Sequence, residues 1–177
     1  FTVTSLKKQV RRKEAKPPLI TSTLQQEAST KLGFSAKRTM QIAQRLYEGV
    51  ELGDHSEGLI TYMRTDSTRL SNLFIEAAHD YIVQQFGKEY LGKYKVKNDD
   101  NSQDAHEAIR PTSLDHSPEQ VKKYLTADQY KLYKLIYARA VASLMAPSKS
   151  NTVSVVLSVN GYDFNASGTQ LAFDGYL

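Results

Sequence analysis

The chain has 177 residues, 40% hydrophobic and 24% charged, enough to bury a core and too apolar for a disordered tail. No apolar run approaches the roughly 18–20 residues of a membrane span, no signal-peptide pattern opens the sequence, and the absence of cysteine excludes disulfides and thiolate metal sites. The net charge of +4 is uneven: residues 1–50 carry ten Lys/Arg against three Asp/Glu, with Lys7, Lys8, Arg11, Arg12, Lys13 and Lys16 densest, a footprint suited to phosphate groups.

Residues 1–14 alternate loosely and read as a strand closed by Pro17-Pro18. Ser22 or Thr23 then caps a helix to Leu32, with Leu24, Ala28 and Leu32 on one face and Gly33 as its stop. Ser35 caps a second helix to Gly49, with Met40, Ala43 and Leu46-Tyr47 inward. The two helices together have a helix-turn-helix outline. A polar loop from Glu51 to Gly58 leads into a short strand, Leu59-Ile60-Thr61-Tyr62. Ser71 caps a helix to Phe86 with Phe74, Ala77-Ala78, Tyr81-Ile82 and Phe86 at helical spacing, and residues 87–101 read as an exposed loop. A helical turn is expected over residues 104–109, a helix start at Ser117-Pro118-Glu119, and the longest helix from Asp128 to Met145. Its expected stripe is Tyr130, Leu132-Tyr133, Ile136-Tyr137, Ala140 and Leu144. From Thr152 the period becomes 2, with Asn160-Gly161 as a hairpin turn. The expected class is α+β, mainly α: a helical, winged-helix-like domain (17–147) inserted between strands of a partial β-rich arch domain (1–16 and 148–177). The sequence opens without Met and stops within a β pattern, and is read as a piece of a longer protein.

Two stretches carry chemistry. In Thr61-Tyr62-Met63-Arg64-Thr65-Asp66-Ser67-Thr68-Arg69, side chains two apart on an extended segment share a face, so Tyr62 and Arg64 project together. A phenol beside a guanidinium suits attack on a phosphodiester, because Arg grips the anionic oxygens in a fork. In Asp104-Ala105-His106-Glu107-Ala108-Ile109-Arg110-Pro111, a helical reading puts His106 and Arg110 on one face, with Glu107 placed to orient Arg110. No donor spacing here matches a closed metal site.

These stretches, with Pro18-Leu19-Ile20-Thr21-Ser22-Thr23-Leu24-Gln25-Gln26-Glu27-Ala28-Ser29 and Ala43-Gln44-Arg45-Leu46-Tyr47-Glu48, resemble the type IA DNA topoisomerases, on their bacterial topoisomerase I branch. The resemblance covers residues 17–147 well and the flanking strands less specifically. It implies that Tyr62 cleaves one DNA strand through a transient 5′-phosphotyrosine, without ATP, so that negative supercoils relax after strand passage and religation. It assigns Arg64 to the scissile phosphate and His106 to its support. Thr65, Ser67, Arg69, Lys37, Arg38 and, more weakly, Arg110 are expected at DNA; Arg110 could equally brace its motif, and Thr65, Asp66 and Ser67 fit orienting roles. Met63 favours topoisomerase I over topoisomerase III, where proline is commoner.

The family's Asp-x-Asp-x-Glu cluster is not in this sequence; Asp99-Asp100 is followed by Asn101. Mg2+ is therefore expected in the full-length enzyme, on a domain outside this chain, and no metal ligand is expected here. The isolated chain is expected to be inactive in relaxation. Single-stranded segments of negatively supercoiled DNA are the implied partner, with no membrane or small-molecule substrate, in the bacterial cytoplasm at the nucleoid. Topoisomerase III, reverse gyrase or a non-catalytic helix-turn-helix module are the alternatives.

Overall fold

The computed structural model describes residues 2–93 and 106–177. It is α+β. Strand β1 (Thr2–Lys13) precedes helices α1 (Thr21–Leu32) and α2 (Ala36–Glu48), a two-residue-per-strand hairpin β2 (Val50–Glu51) and β3 (Ser56–Glu57), and helix α3 (Asn72–Gln85). Then follow α4 (Pro118–Val121), α5 (Ala127–Ala142) and the long hairpin β4 (Ser148–Val159) and β5 (Tyr162–Phe173). The sheet is antiparallel in the order β1-β4-β5, so the first strand pairs with one from the end of the chain. Asn160 (φ 50°) and Gly161 (φ 80°) make its turn, both in the left-handed conformation that a two-residue hairpin demands.

The core lies among the helices. Leu24 and Ala28 of α1, Ile42, Ala43 and Leu46 of α2, and Leu132, Tyr133, Ile136 and Ala140 of α5 are buried together. At about 1.5–3 kcal/mol per buried large side chain, this cluster dominates the stability of the helical part. Glu27 joins it to the chain entering from β1, facing Lys31 at 3.0 Å, Arg139 of α5 at 3.6 Å and Lys16 at 3.7 Å. The hydrogen bond from Lys31, then the three cations' charge, outweighs burial and holds the Glu27 carboxyl below its usual range.

Several boundaries differ from expectation. Helix α1 starts at Thr21 with Ile20 at its N-cap, and the Thr23 hydroxyl accepts from Ile20 N at 2.9 Å. The buried stripe of α2 is Thr39, Ile42, Ala43 and Leu46; Met40 is half-buried and Tyr47 exposed. In α3 the inward residues are Phe74, Ile75, Ala78 and Ile82, while Ala77 and Phe86 face out. Tyr130 of α5 is half-buried, and its hydroxyl donates to Glu119. Leu59–Tyr62 forms no strand: a single bridge, Ile60 to Pro111, replaces it. Within the expected turn over 104–109, residues 106–109 are extended and Ile109 bridges Leu19; residues 104 and 105, like 94–101 of the expected loop, lie outside the described residues.

The β2–β3 hairpin docks through Glu57, whose Oε2 meets Nε2 of His55 at 3.1 Å and Nε2 of His116 at 3.0 Å. Asp54 at 2.6 Å, then Glu57, raises the His55 pKa, and Glu57 is lowered in return, chiefly by its bond with His55. The hairpin then returns the chain to the end of α2. Gly58 passes so close that a Cβ there would sit 2.5 Å from the Tyr47 carbonyl oxygen, and Leu59 N donates to Leu46 O at 2.8 Å. That closure delivers the Tyr62 segment to the core.

Candidate active site

Leu19 and the stretch from Leu59 to Arg69, distant from each other in sequence, meet on one strip, residues 107–112. Ile109 N donates to Leu19 O at 2.8 Å, Thr61 N to Arg110 O at 2.9 Å, Thr112 N to Leu59 O at 2.9 Å, and Ala108 N to Arg69 O at 2.8 Å. Leu19, Leu59, Ile60, Met63, Ala108 and Ile109 are buried beneath, forming an apolar floor. The usual strand ladder is missing because threonine hydroxyls complete the pairing. Thr61 Oγ1 donates to Ala108 O at 2.7 Å and accepts from Arg110 N at 3.0 Å. Thr21 Oγ1 donates to Met63 O at 2.7 Å and accepts from Thr65 N at 2.8 Å.

On this floor Tyr62 and Arg64 are exposed while Met63 between them is buried. The expected exposed–buried–exposed alternation is present, although the backbone bends at Met63 and forms no strand. Tyr62 is 42% exposed, and its ring meets Tyr47 edge-on with centroids 5.3 Å apart, a contact that orients the phenol while leaving its face open. Tyr47 had been expected inward; its place at the end of α2 turns it toward Tyr62 instead.

Arg64 lines an open groove of about 1130 Å³ together with Gln25 of α1 and Lys37, Arg38, Gln41 and Arg45 of α2. Of the DNA-binding residues expected from sequence, Lys37 and Arg38 thus share a cleft with Arg64. Arg38 also pairs with Asp128 of α5 and lies over the Phe34 ring, which fixes its position. Thr65 and Ser67 use their hydroxyls locally, accepting from Ser67 N at 3.1 Å and Arg69 N at 3.2 Å, so they shape the turn beyond Arg64. Asp66 and Arg69 are exposed.

Arg110 and His106 do not share a helix face, because their segment is extended by its pairing with Leu19 and Thr61. His106 is exposed at the start of the strip, and among the described residues no hydrogen bond joins it to Tyr62 or Arg64. The Arg110 side chain is only 11% exposed and committed inward. Its Nη2 meets Glu107 Oε2 at 2.9 Å, Nε meets Glu107 Oε1 at 3.2 Å, Nη1 donates to Pro111 O, and the guanidinium lies 4.6 Å from the Phe74 ring centroid. Glu107 also accepts from Ser71 N at 2.6 Å, tying the start of α3 to the strip. The expected orientation of Arg110 by Glu107 is present, and the geometry makes Arg110 a brace.

Removing Glu107 would strand that guanidinium. Glu107→Ala is expected to cost about 2–3 kcal/mol, below the ~3–5 of a fully buried pair because both side chains keep some exposure. Thermal denaturation should show Tm falling by roughly 5–10 °C. Glu107→Leu combined with Arg110→Met should recover most of the loss; an unchanged Tm in Glu107→Ala would remove the bracing role.

Among the described residues no group of three or more His, Asp or Glu side chains could hold a metal ion. The resemblance places Mg2+ on a domain of the full-length enzyme outside this chain. No described helix is long and apolar enough to cross a membrane.

The DNA topoisomerase family model matches residues 1–177. The full-length topoisomerase I of Thermotoga maritima, solved in a monoclinic crystal form, is 47% identical, with a TM-score of 0.88 over 98% of this chain and 28% of its own length. The match runs through every stretch that meets at the Tyr62 junction, and on it the chain belongs to the bacterial type IA DNA topoisomerases.

Proposed function

We propose that this chain carries the strand-cleaving half of a topoisomerase I active site, with Tyr62 as nucleophile. What supports the reading is the junction itself: three separate stretches converge on a buried floor that leaves the Tyr62 phenol and the Arg64 guanidinium exposed two residues apart. The Tyr62 oxygen attacks the phosphorus, its proton leaves to solvent or a neighbouring base, and the P–O3′ bond breaks. The products are a 5′-phosphotyrosine and a 3′-hydroxyl. Attack by that hydroxyl reverses the step, so the phosphodiester bond energy is conserved and ATP is not required.

Arg64 grips the non-bridging oxygens, where negative charge is spread in the transition state. His106, exposed just before the strip, supports the same phosphate. Lys37, Arg38 and Arg45 track the backbone along the groove, and Arg69 extends that contact beyond the Thr65–Ser67 turn. The helix-turn-helix outline of α1 and α2 supports this reading over a separate regulator, because its basic first turn faces the Arg64 groove. The helical residues 17–147 are taken as one domain and residues 1–16 with 148–177 as part of another, arch-like one. Mg2+, single-stranded specificity and a place at the nucleoid belong to the full-length enzyme.

The test is covalent. Full-length protein incubated with a single-stranded oligonucleotide, denatured and digested, should yield a phosphonucleotide adduct on the peptide bearing Tyr62. An adduct on any other residue rejects the reading. The isolated 177-residue chain should bind single-stranded DNA weakly, with affinity falling steeply as salt rises, and should not relax supercoiled plasmid with or without Mg2+. Robust relaxation by that chain would overturn this division of the site.

A further inference from the structure

The Arg64 side chain reaches into an open groove, so its aim depends on how firmly its own backbone is set. The peptide groups on either side of it are both held by one residue of another element. Thr21 Oγ1 donates to Met63 O at 2.7 Å, the carbonyl of the peptide preceding Arg64. The same oxygen accepts from Thr65 N at 2.8 Å, the amide of the peptide following it. Thr21 N donates to Thr65 O at 3.0 Å, so the first free N–H of α1 is also used.

We propose that Thr21 is a positioning residue for the Tyr62–Arg64 pair in strand cleavage. The inference rests on the reading of Tyr62 and Arg64 given above. Fixing both peptide planes around one Cα fixes the direction of its Cα–Cβ bond, which is where the guanidinium fork begins. Thr21 is itself immobilised: Leu19 bridges Ile109, Leu24 and Ala28 are buried, and the Thr23 hydroxyl takes Ile20 N, which leaves the Thr21 hydroxyl to the Tyr62 segment. One residue before Tyr62, the Thr61 hydroxyl takes the peptide groups on either side of Ile109, which anchors the start of the same segment to the strip. A small displacement of a reacting group costs up to about 100-fold in rate, because alignment is set before the chemistry begins.

Thr21→Val keeps the shape and removes the hydroxyl; Thr21→Ser keeps the hydroxyl. In the full-length enzyme, single-turnover cleavage of a saturating single-stranded oligonucleotide should slow about 10–100-fold in Thr21→Val. Its half-saturating DNA concentration should change less than about threefold, since Arg64 stays charged and in the groove. Thr21→Ser should cleave within about threefold of the parent rate, and Thr21→Cys, a weaker hydrogen-bonding group, should fall between. All are compared well below their melting temperatures; should Val not fold, the Ser and Cys variants carry the test, with equal rates in both overturning it. Wild-type cleavage by Thr21→Val, or a loss seen only in DNA affinity, also overturns the positioning role. The adduct is mapped in each variant: if it is not on Tyr62, the underlying reading fails, whereas an adduct on Tyr62 with normal rates fails only this inference.

Discussion

Tyr62→Phe in the full-length enzyme is expected to abolish relaxation and covalent trapping while single-stranded DNA still binds. The substitution removes one oxygen. The ring remains to meet Tyr47 edge-on, and the floor beneath it, Leu59, Ile60 and Met63, is unchanged, so the melting temperature should shift little. Binding survives because Arg64, Lys37, Arg38 and Arg45 are untouched in the groove. The loss is chemical: among the described residues the phenol beside Tyr62 is Tyr47, at the end of α2. A trapped adduct in Tyr62→Phe, mapped to Tyr47 or elsewhere, would reject the assignment. Loss of DNA binding together with activity would place Tyr62 in recognition instead.

The helices were legible because their boundaries are local chemistry. Ser35, Ser71 and Ser117 accept from the amide three residues on, as capping serines do, and Asn160-Gly161 makes the turn its composition announces. The site's scaffold was less legible because non-local pairing builds it. Leu59-Ile60 has strand composition, yet its partner is a strip around residue 111, too short for a ladder, and hydroxyls complete the bonding. His106–Ile109 has helix-compatible composition, yet pairing with Leu19, Thr61 and Arg69 stretches it. Tyr62 and Arg64 were expected to project outward, and both are exposed on either side of a buried Met63 even though the backbone bends there. Thr21 and Thr61 carried no signal of their own: a threonine looks the same in sequence whether its hydroxyl meets water or two peptide groups. Tyr47 was missed for a different reason. It lies one position off the inward stripe of α2, where helical periodicity does not separate a core face from a site face.

Arg64→Lys in the full-length enzyme is expected to slow cleavage by roughly 10²–10³, about 3–4 kcal/mol in the barrier, with binding of uncleaved DNA nearly unchanged. Lysine restores the positive charge and so the attraction of the groove for the backbone. It does not restore the planar fork proposed to grip two phosphoryl oxygens at once, and its ammonium is more strongly hydrated. If the groove acted only by general attraction, Arg64→Lys would cleave almost normally and would lose little more than Lys37→Ala. His106→Ala should hurt less. His106 sits exposed at the start of the 107–112 strip without a hydrogen bond to Tyr62 or Arg64 among the described residues, so its removal leaves the fork in place. Rates are compared at saturating DNA, where affinity drops out and only transition-state contacts remain. Near-normal cleavage by Arg64→Lys would make Arg64 a structural or electrostatic residue. A larger loss in His106→Ala would shift the decisive phosphate contact to the strip, with Arg64 in the supporting role.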